Sequence, residues 1–164
     1  NRGKLRVTSS LAVLTVAAIT LLLAIASAHA QELKTYRKTA VFEDVKFDLT
    51  NAIIRRGLVI DFNGNLGGML ERTGKDVGST KVIYKAAEYF MFCSAKLSRD
   101  MMTADAANVG FCPYVVFIYA TAAKPGEVVV GYRRPPPVGS VRSRKVFAAI
   151  DTLLNGIAKE ATVK

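Results

Sequence analysis

The stretch CPYVVFIYATAAKPGEVVVGYR, residues 112–133, decides the fold of this chain. Its first part, Cys112 to Thr121, is a run of apolar, β-branched and aromatic residues, which is typical of a buried strand. The segment KPGE, residues 124–127, contains a proline and a glycine that favour a turn, and the apolar run Val128 to Arg133 follows it. The sequence therefore predicts two antiparallel strands joined as a hairpin.

Upstream of the hairpin, residues 42–56 have the spacing of an amphipathic helix, and Gly57 follows as a natural helix end. The apolar residues on its predicted buried face are Phe42, Val45, Leu49, Ala52 and Ile53. Further strands are expected at residues 34–41, 58–62 and 88–93, and short helices at about 66–72 and 95–104.

A last helix is predicted over residues 141–158. Its expected apolar stripe comprises Val146, Ala149, Ile150, Leu153, Leu154 and Ile157. Strands and helices alternate along the chain, but the last two strands form a hairpin. This pattern favours an α+β two-layer sandwich, in which an antiparallel or mixed sheet has its helices on one face. Both long helices should place their apolar faces against that sheet.

The first thirty residues have the composition of an export signal. Arg2, Lys4 and Arg6 precede an apolar run, and the sequence AHA at 28–30 is a small-x-small site for a signal peptidase. The sequence predicts either a signal peptide cut after Ala30 or an uncleaved hydrophobic helix over about residues 7–28, since a membrane span needs about 20 apolar residues. In both cases the rest of the chain is expected on the periplasmic side of a bacterial inner membrane.

Charge and the absence of histidine limit the possible functions. The chain has 23 Lys and Arg against 13 Asp and Glu, which favours anionic partners such as lipid headgroups or acidic proteins. Export argues against nucleic acid. The single histidine, His29, lies within the signal, so the exported part has no imidazole for Ser-His-Asp or Cys-His catalysis. No CxxC, Walker or GxGxxG motif is present, and the sequence predicts neither a cofactor nor an enzymatic reaction.

Cys93 and Cys112 are the only cysteines in the chain. Each stands at the end of a predicted strand, and the helix between them could return the chain to the same sheet edge, so we expect them to lie close together. Three interpretations remain open: a disulfide, as is usual after export, two buried free thiols, or a redox or soft-metal site. Met101 could add a thioether ligand for Cu(I). Met102 could not readily join it, because adjacent helical residues point about 100° apart.

Basic residues accumulate in GYRRPPPVGSVRSRK, residues 131–145. This basic strip comprises Arg133, Arg134, Arg142, Arg144 and Lys145. No acidic residue lies between Glu127 and Asp151, and the proline triplet favours an extended connection. The strip is a candidate docking surface for an anionic membrane or an acidic partner. The alternative is a solvated linker before the last helix.

The span from about residue 39 to 135 resembles the DUF302 family. The resemblance rests on FEDVKFDLTNAIIRRG followed by LVIDF, on EYFMFCSAKLSRDMM, and on FCPYVVFIYAT paired with GEVVVGYRRP. It implies a compact α/β sandwich that is dimeric in several members and has no established reaction, so no catalytic residue can be transferred. It divides the chain into the segment 1–30, a DUF302-like domain over 31–137, and a C-terminal helix over 138–164 that packs on the same domain. The export signal, the two cysteines and this last helix are departures from the family pattern.

These observations together favour a non-enzymatic binding or accessory domain at the periplasmic face of the inner membrane. Its expected partners are proteins, either a second copy or a membrane complex, together with an anionic membrane surface. The alternative is a small periplasmic redox or soft-metal-handling protein that uses Cys93 and Cys112.

Overall fold

Five strands form one antiparallel sheet in the computed structural model, which describes residues 32–163. The strands are β1 (Leu33–Thr39), β2 (Ile60–Asn65), β3 (Tyr84–Phe92), β4 (Tyr114–Thr121) and β5 (Lys124–Arg133). Their order across the sheet is β1-β5-β4-β3-β2, so the predicted hairpin lies at its centre. The expected signal or anchor segment lies outside the described residues.

Helices connect the strands and cover one face of the sheet. They are α1 (Phe42–Ile54), α2 (Leu66–Thr73), α3 (Ala95–Ala104) and α4 (Val141–Val163), and a 3-10 helix spans Ala106–Phe111. The long helices α1 and α4 pack against each other and share one hydrophobic core with the sheet. The fold is therefore the α+β sandwich that the sequence predicts. Among the helices of residues 32–163, none combines the length and apolar character needed to cross a membrane.

The core forms between α1, α4 and one face of strands β3, β4 and β5. Alternate residues of β4, namely Tyr114, Val116, Ile118 and Ala120, point into it and are buried. All five apolar residues predicted for the inner face of α1 are buried as well. Burying a large aliphatic side chain contributes about 1.5–3 kcal/mol, so this layer supplies much of the driving force for folding.

The buried face of α4 differs in part from the predicted stripe. Ile150, Leu154 and Ile157 are buried as expected, but Ala149 is exposed, and Val146 and Leu153 are only half-buried. The helix instead buries Ser143, Phe147, Ala158, Ala161 and Thr162. It also runs five residues beyond the predicted end at 158, to Val163. Near that end, Arg56 Nη1 donates a hydrogen bond of 2.8 Å to Glu160 Oε2, which ties α4 to the end of α1.

The turn of the central hairpin also differs from the prediction. β5 begins at Lys124, so the turn consists of residues 122–123 rather than KPGE. Thr121 pairs with Lys124, whereas the preceding Ala120 pairs with Val128. Residues 125–127 therefore bulge out of the ladder with β4, which suits Pro125 because proline cannot donate a ladder hydrogen bond.

Candidate functional site

The two cysteines meet at one end of the sheet. Phe92 pairs with Tyr114 as the last rung between β3 and β4, and Cys93 and Cys112 lie just beyond it. Their Sγ atoms are 2.6 Å apart, and both residues are half-buried. The peptide bond between Cys112 and Pro113 is cis. The structure thus has the proximity that the sequence predicts, while the oxidation state of the pair stays a prediction.

Two hydroxyl groups surround the cysteine pair. Ser98 Oγ, on α3, lies 3.3 Å from Cys112 Sγ and 3.4 Å from the hydroxyl of Tyr114. Burial, together with the neighbouring Cys112, raises the pKa of the Cys93 thiol to about 11. Burial likewise raises the pKa of Tyr114 to about 12. Cys93 and Tyr114 therefore stay protonated at neutral pH, and Cys93 does not provide the thiolate that a reactive cysteine needs.

Met101 lies on α3 inside the hydrophobic core, where it is 0% exposed. Its backbone oxygen accepts a hydrogen bond of 2.9 Å from the side chain of Asn108. This placement is the packing role typical of methionine. In the part of the chain that the structure describes, no three His, Cys, Asp or Glu side chains gather as a metal site. The geometry therefore brings the two thiols together but gives no support to a soft-metal site with Met101.

Arg134 differs from the other residues of the basic strip, because two carboxylates pair with it. Its guanidinium donates to both carboxylate oxygens of Asp151, at 3.2 and 3.1 Å, and to Glu32 at 2.9 Å. Burial of Asp151 opposes its ionisation, but hydrogen bonds from Arg134 and Tyr132 outweigh this and hold the pKa of that carboxyl below its usual range. Arg134 thus fastens the end of β5 to α4, and its charge is balanced by two carboxylates.

The other members of the strip, Arg133, Arg142, Arg144 and Lys145, are exposed. The last three lie in the first turns of α4, where the backbone N–H groups already give the helix a positive end. Ser140 caps this end, since Ser143 N donates to its Oγ at 3.1 Å. The exposed part of the strip is thus a compact positive surface at the beginning of α4, with Arg133 apart from it on β5.

The face of the sheet opposite the helices is lined mainly by aromatic and other uncharged side chains on β2 to β5, with Arg37 of β1 beside Val129 and Arg133 at the end of β5 on the same side. We call the uncharged residues the aromatic face: Phe62, Ala87, Tyr89, Met91, Val115, Phe117, Tyr119 and Val129. Ala87 and Val129 are buried without belonging to the core cluster. Phe62 is 52% exposed and Val115 39% exposed. An exposed apolar patch of this kind is typical of an interaction site.

Two glycines allow the aromatic rings to lie flat on this face. A Cβ at Gly64 would stand 2.3 Å from the ring of Tyr89, its cross-strand partner. A Cβ at Gly131 would stand 2.6 Å from the ring of Phe117, its partner on β4. Any larger residue would displace the ring, so the two glycines set the shape of the aromatic face.

A groove of about 600 Å³ opens at the end of the sheet next to the cysteine pair. Its lining includes Phe111, Pro113 and Tyr114 on either side of Cys112, and Arg133 and Arg134 across from them. The floor is formed by Phe147, Ile150 and Leu154 of α4. The groove is mostly apolar, and it shares Val115 and Phe117 with the edge of the aromatic face. We call it the end groove.

A more polar depression of about 820 Å³ lies between α2, the loop 74–83 and the start of β3. Glu88 lines it, but both of its carboxylate oxygens are engaged. Lys46 Nζ donates to one at 2.7 Å and Asn63 Nδ2 to the other at 2.9 Å. These contacts fix α1 to the sheet and pair the carboxylate with a cation.

The aromatic face and the end groove were not predicted from the sequence. A signal for the face is present, because YVVFIYAT of β4 is apolar at odd and even positions alike, which indicates contacts on both sides of a strand. The groove has no local signal, since it depends on where two strands separate and on residues up to 121 positions apart, from Leu33 to Leu154.

Comparison with known proteins agrees with this fold. The family model "Domain of unknown function DUF302" matches residues 34–161. A crystal structure of an uncharacterized conserved DUF302 protein from Bacillus stearothermophilus is similar, with a TM-score of 0.65 and 12% sequence identity over 80% of this chain and 99% of that chain. No curated protein matches significantly.

The family match corrects one expectation, because it includes almost all of α4. The last helix is therefore part of the family domain, not a departure added after residue 137. At this level of identity, the similar crystal structure supports the fold alone. The chain belongs to the DUF302 family, a domain of unknown function.

Proposed function

We propose that this chain is a non-enzymatic binding domain that acts through protein contact on its aromatic face, at the periplasmic side of the inner membrane. The first partner to test is a second copy of the chain, and the second is a subunit of a membrane complex. The observation that carries the proposal is an uncharged, aromatic surface across the sheet strands β2 to β5. Protein interfaces are enriched in aromatic residues and methionine in the same way.

The dimensions of the aromatic face are suitable for such an interface. Four neighbouring strands contribute to it, and strands lie about 4.8 Å apart, so the outer two are about 14 Å apart. The charged residues nearest to it on β1 and β5, Arg37 and Glu127, approach each other at 3.9 Å at its edge. An apolar centre with charged residues at its rim is the usual composition of a specific interface.

The chemistry of the chain supports a binding role more than a catalytic one. The exported part lacks histidine, and the environment of Cys93 raises the pKa of its thiol. In the larger depression, Glu88 is paired with Lys46 and Asn63. Location at the periplasmic side rests on the sequence of residues 1–30, which has the basic start, apolar run and AHA site of an export signal.

The test is a matched pair of Phe→Glu variants in the full chain, expressed in a Gram-negative host. Phe62→Glu places a charge on the aromatic face, and Phe47→Glu places one on the outer side of α1, where Phe47 is 69% exposed. We expect light scattering after gel filtration to show a dimer that Phe62→Glu dissociates and Phe47→Glu does not affect. Unaltered association in Phe62→Glu, or a monomer with no partner captured from membranes, would contradict the proposal.

A redox function is the second candidate, and the 2.6 Å between Cys93 Sγ and Cys112 Sγ is the observation that favours it. In this role the pair would cycle between dithiol and disulfide, giving two electrons and two protons to a small-molecule or protein disulfide. We expect slow exchange, because few Cys93 thiols ionise at neutral pH. Rapid reduction of a test disulfide such as oxidised glutathione would favour this function over the binding role. A bound copper ion in the purified protein would favour the soft-metal form of this alternative.

A further inference from the structure

We propose that the end groove binds a single-chain amphiphile with one carboxylate, of the fatty-acid type. Its alkyl chain would lie on the α4 floor, and its carboxylate would lie at Arg133. This site goes beyond the protein contact proposed for the aromatic face and involves a different class of ligand.

The groove exists because the sheet divides at this end. The ladder between β4 and β5 ends at the pair Val116–Tyr132. β4 nevertheless extends to Tyr114 alongside β3, and β5 extends to Arg133 alongside β1. The two halves of the sheet thus remain paired on their outer sides and leave a gap between them above α4, whose Phe147, Ile150 and Leu154 close the bottom and are only 1–2% exposed.

The inside of the gap is suited to an alkyl chain. Its walls and floor are formed by apolar side chains, namely Leu33, Phe111, Pro113, Phe147, Ile150 and Leu154, and no acidic residue lines it. Its volume of about 600 Å³ lies in the usual range of small-molecule sites, about 300–1,000 Å³. Each methylene transferred from water to such a surface is stabilised by roughly 0.8 kcal/mol.

The charge at the rim matches one anion. Arg133 is exposed and has no ion-pair partner among residues 32–163, whereas the neighbouring Arg134 is held by Asp151 and Glu32. Arg134 N donates to Glu32 O at 3.0 Å on the β1 side. Because successive residues of a strand direct their backbone groups to opposite sides, the N–H of Arg133 faces β4, where the terminal pair Val116–Tyr132 engages it in the ladder. The exposed guanidinium of Arg133 is therefore the donor available at the mouth, which suits a single carboxylate.

Isothermal titration of the full chain with decanoate and with decan-1-ol tests the proposal, since the two probes differ only in the charged group. Arg133→Gln removes the cation at the groove, and Arg142→Gln removes an exposed cation of the same strip at the start of α4. Val115→Trp adds bulk at the groove mouth without altering the core. Circular dichroism of each variant verifies that it is folded.

We expect decanoate to bind more tightly than decan-1-ol. Arg133→Gln should weaken decanoate about tenfold, as is typical for the loss of a charged hydrogen bond, and leave decan-1-ol unchanged. Arg142→Gln should affect neither probe, and Val115→Trp should weaken both. Failure of decanoate to bind, equal losses in the two arginine variants, or binding that is insensitive to Val115→Trp would overturn the proposal. The comparison of Arg133→Gln with Arg142→Gln uses no member of the aromatic face. Val115 belongs to that face, so light scattering of Val115→Trp separates a loss of ligand binding from a change in association.

Discussion

Cys93 and Cys112 lie within bonding reach of each other at the end of the sheet, and no other thiol competes with them. In an oxidising compartment we therefore expect them to form a disulfide. The exported protein should have a mass lower by two hydrogen atoms than the same protein after dithiothreitol treatment. Closing a loop of this length stabilises a fold by about 3 kcal/mol, so reduction should lower the free energy of unfolding measured in urea by a similar amount.

A Cys93→Ala, Cys112→Ala double variant is the control for this prediction. It should be less stable than the oxidised protein, and dithiothreitol should not change its stability further. An exported protein in which both thiols react at once with a maleimide, without prior reduction, would show that the pair is unbonded.

The raised pKa of Cys93 predicts the pH dependence of its alkylation in the reduced protein. Burial is the main cause of the shift, and Cys112 adds to it. Because only the thiolate reacts, the rate with iodoacetamide should rise about tenfold per pH unit and level off near pH 11, above the ordinary thiol value of about 8.5. In Cys112→Ser the midpoint should move to lower pH, since one cause is removed. A wild-type midpoint at the ordinary thiol pKa would show that Cys93 is well solvated.

At the scale of secondary-structure elements, Asp151 joins α4 to the end of β5. The pKa of this carboxyl is lower in the folded protein than its unfolded value of 3.8. The ionised carboxylate therefore stabilises the fold fully above the unfolded pKa. This stabilisation is lost as the pH falls through the lower pKa of the folded protein. Asp151→Asn should therefore lower the unfolding free energy at pH 7, with a difference from wild type that shrinks below about pH 4.

Asp100→Asn is the matched control, because Asp100 pairs with Lys96 on the exposed surface of α3. Exposed pairs of this kind contribute little, so this variant should change stability much less. Equal effects of the two substitutions, measured by urea unfolding at several pH values, would show that the Asp151 contacts do not hold α4 in place.

The position of α4 on the sheet can be tested with two adjacent leucines. Leu154 is 2% exposed in the core, whereas Leu153 is only half-buried at its edge. Leu154→Ala should cost about 2–5 kcal/mol of unfolding free energy, like Ile53→Ala on α1, and Leu153→Ala clearly less. If Leu153→Ala were the more costly change in urea unfolding, the helix would be rotated from the position described here.

These residues also show what the sequence could and could not predict about the elements. The spacing on α1 was sufficient because five of its apolar residues form one stripe, and all five are buried, whereas Phe47 and Ile54 lie outside the stripe and are exposed. On α4, apolar residues surround more of the helix, so periodicity alone placed Ala149 inside and omitted Phe147. Contacts such as Arg134 with Asp151 link residues that are distant in sequence and have no local signal.

At the scale of the whole molecule, the sequence was sufficient for the fold class but not for the sites. The hairpin, the alternation of elements and the family resemblance all led to one antiparallel sheet with helices on one face. β4 is apolar on both faces, so its sequence does not indicate which face the helices cover. That depends on how the helices finally pack. The aromatic face and the end groove therefore became apparent only in three dimensions.

The net charge of +10 should direct the molecule to anionic membranes, and the fold concentrates part of it at the beginning of α4. Each basic residue near an anionic surface contributes about 1 kcal/mol at moderate salt. The full chain should therefore sediment with phosphatidylglycerol vesicles, less so as salt is raised, since screening shortens the range of these attractions.

Replacing Arg142, Arg144 and Lys145 with Gln should largely abolish binding to these vesicles. The same charge change at Lys75, Lys81 and Lys85, which are exposed on and before β3, should have little effect. Equal losses in the two triple variants would mean that net charge, and not the strip at α4, controls the attraction.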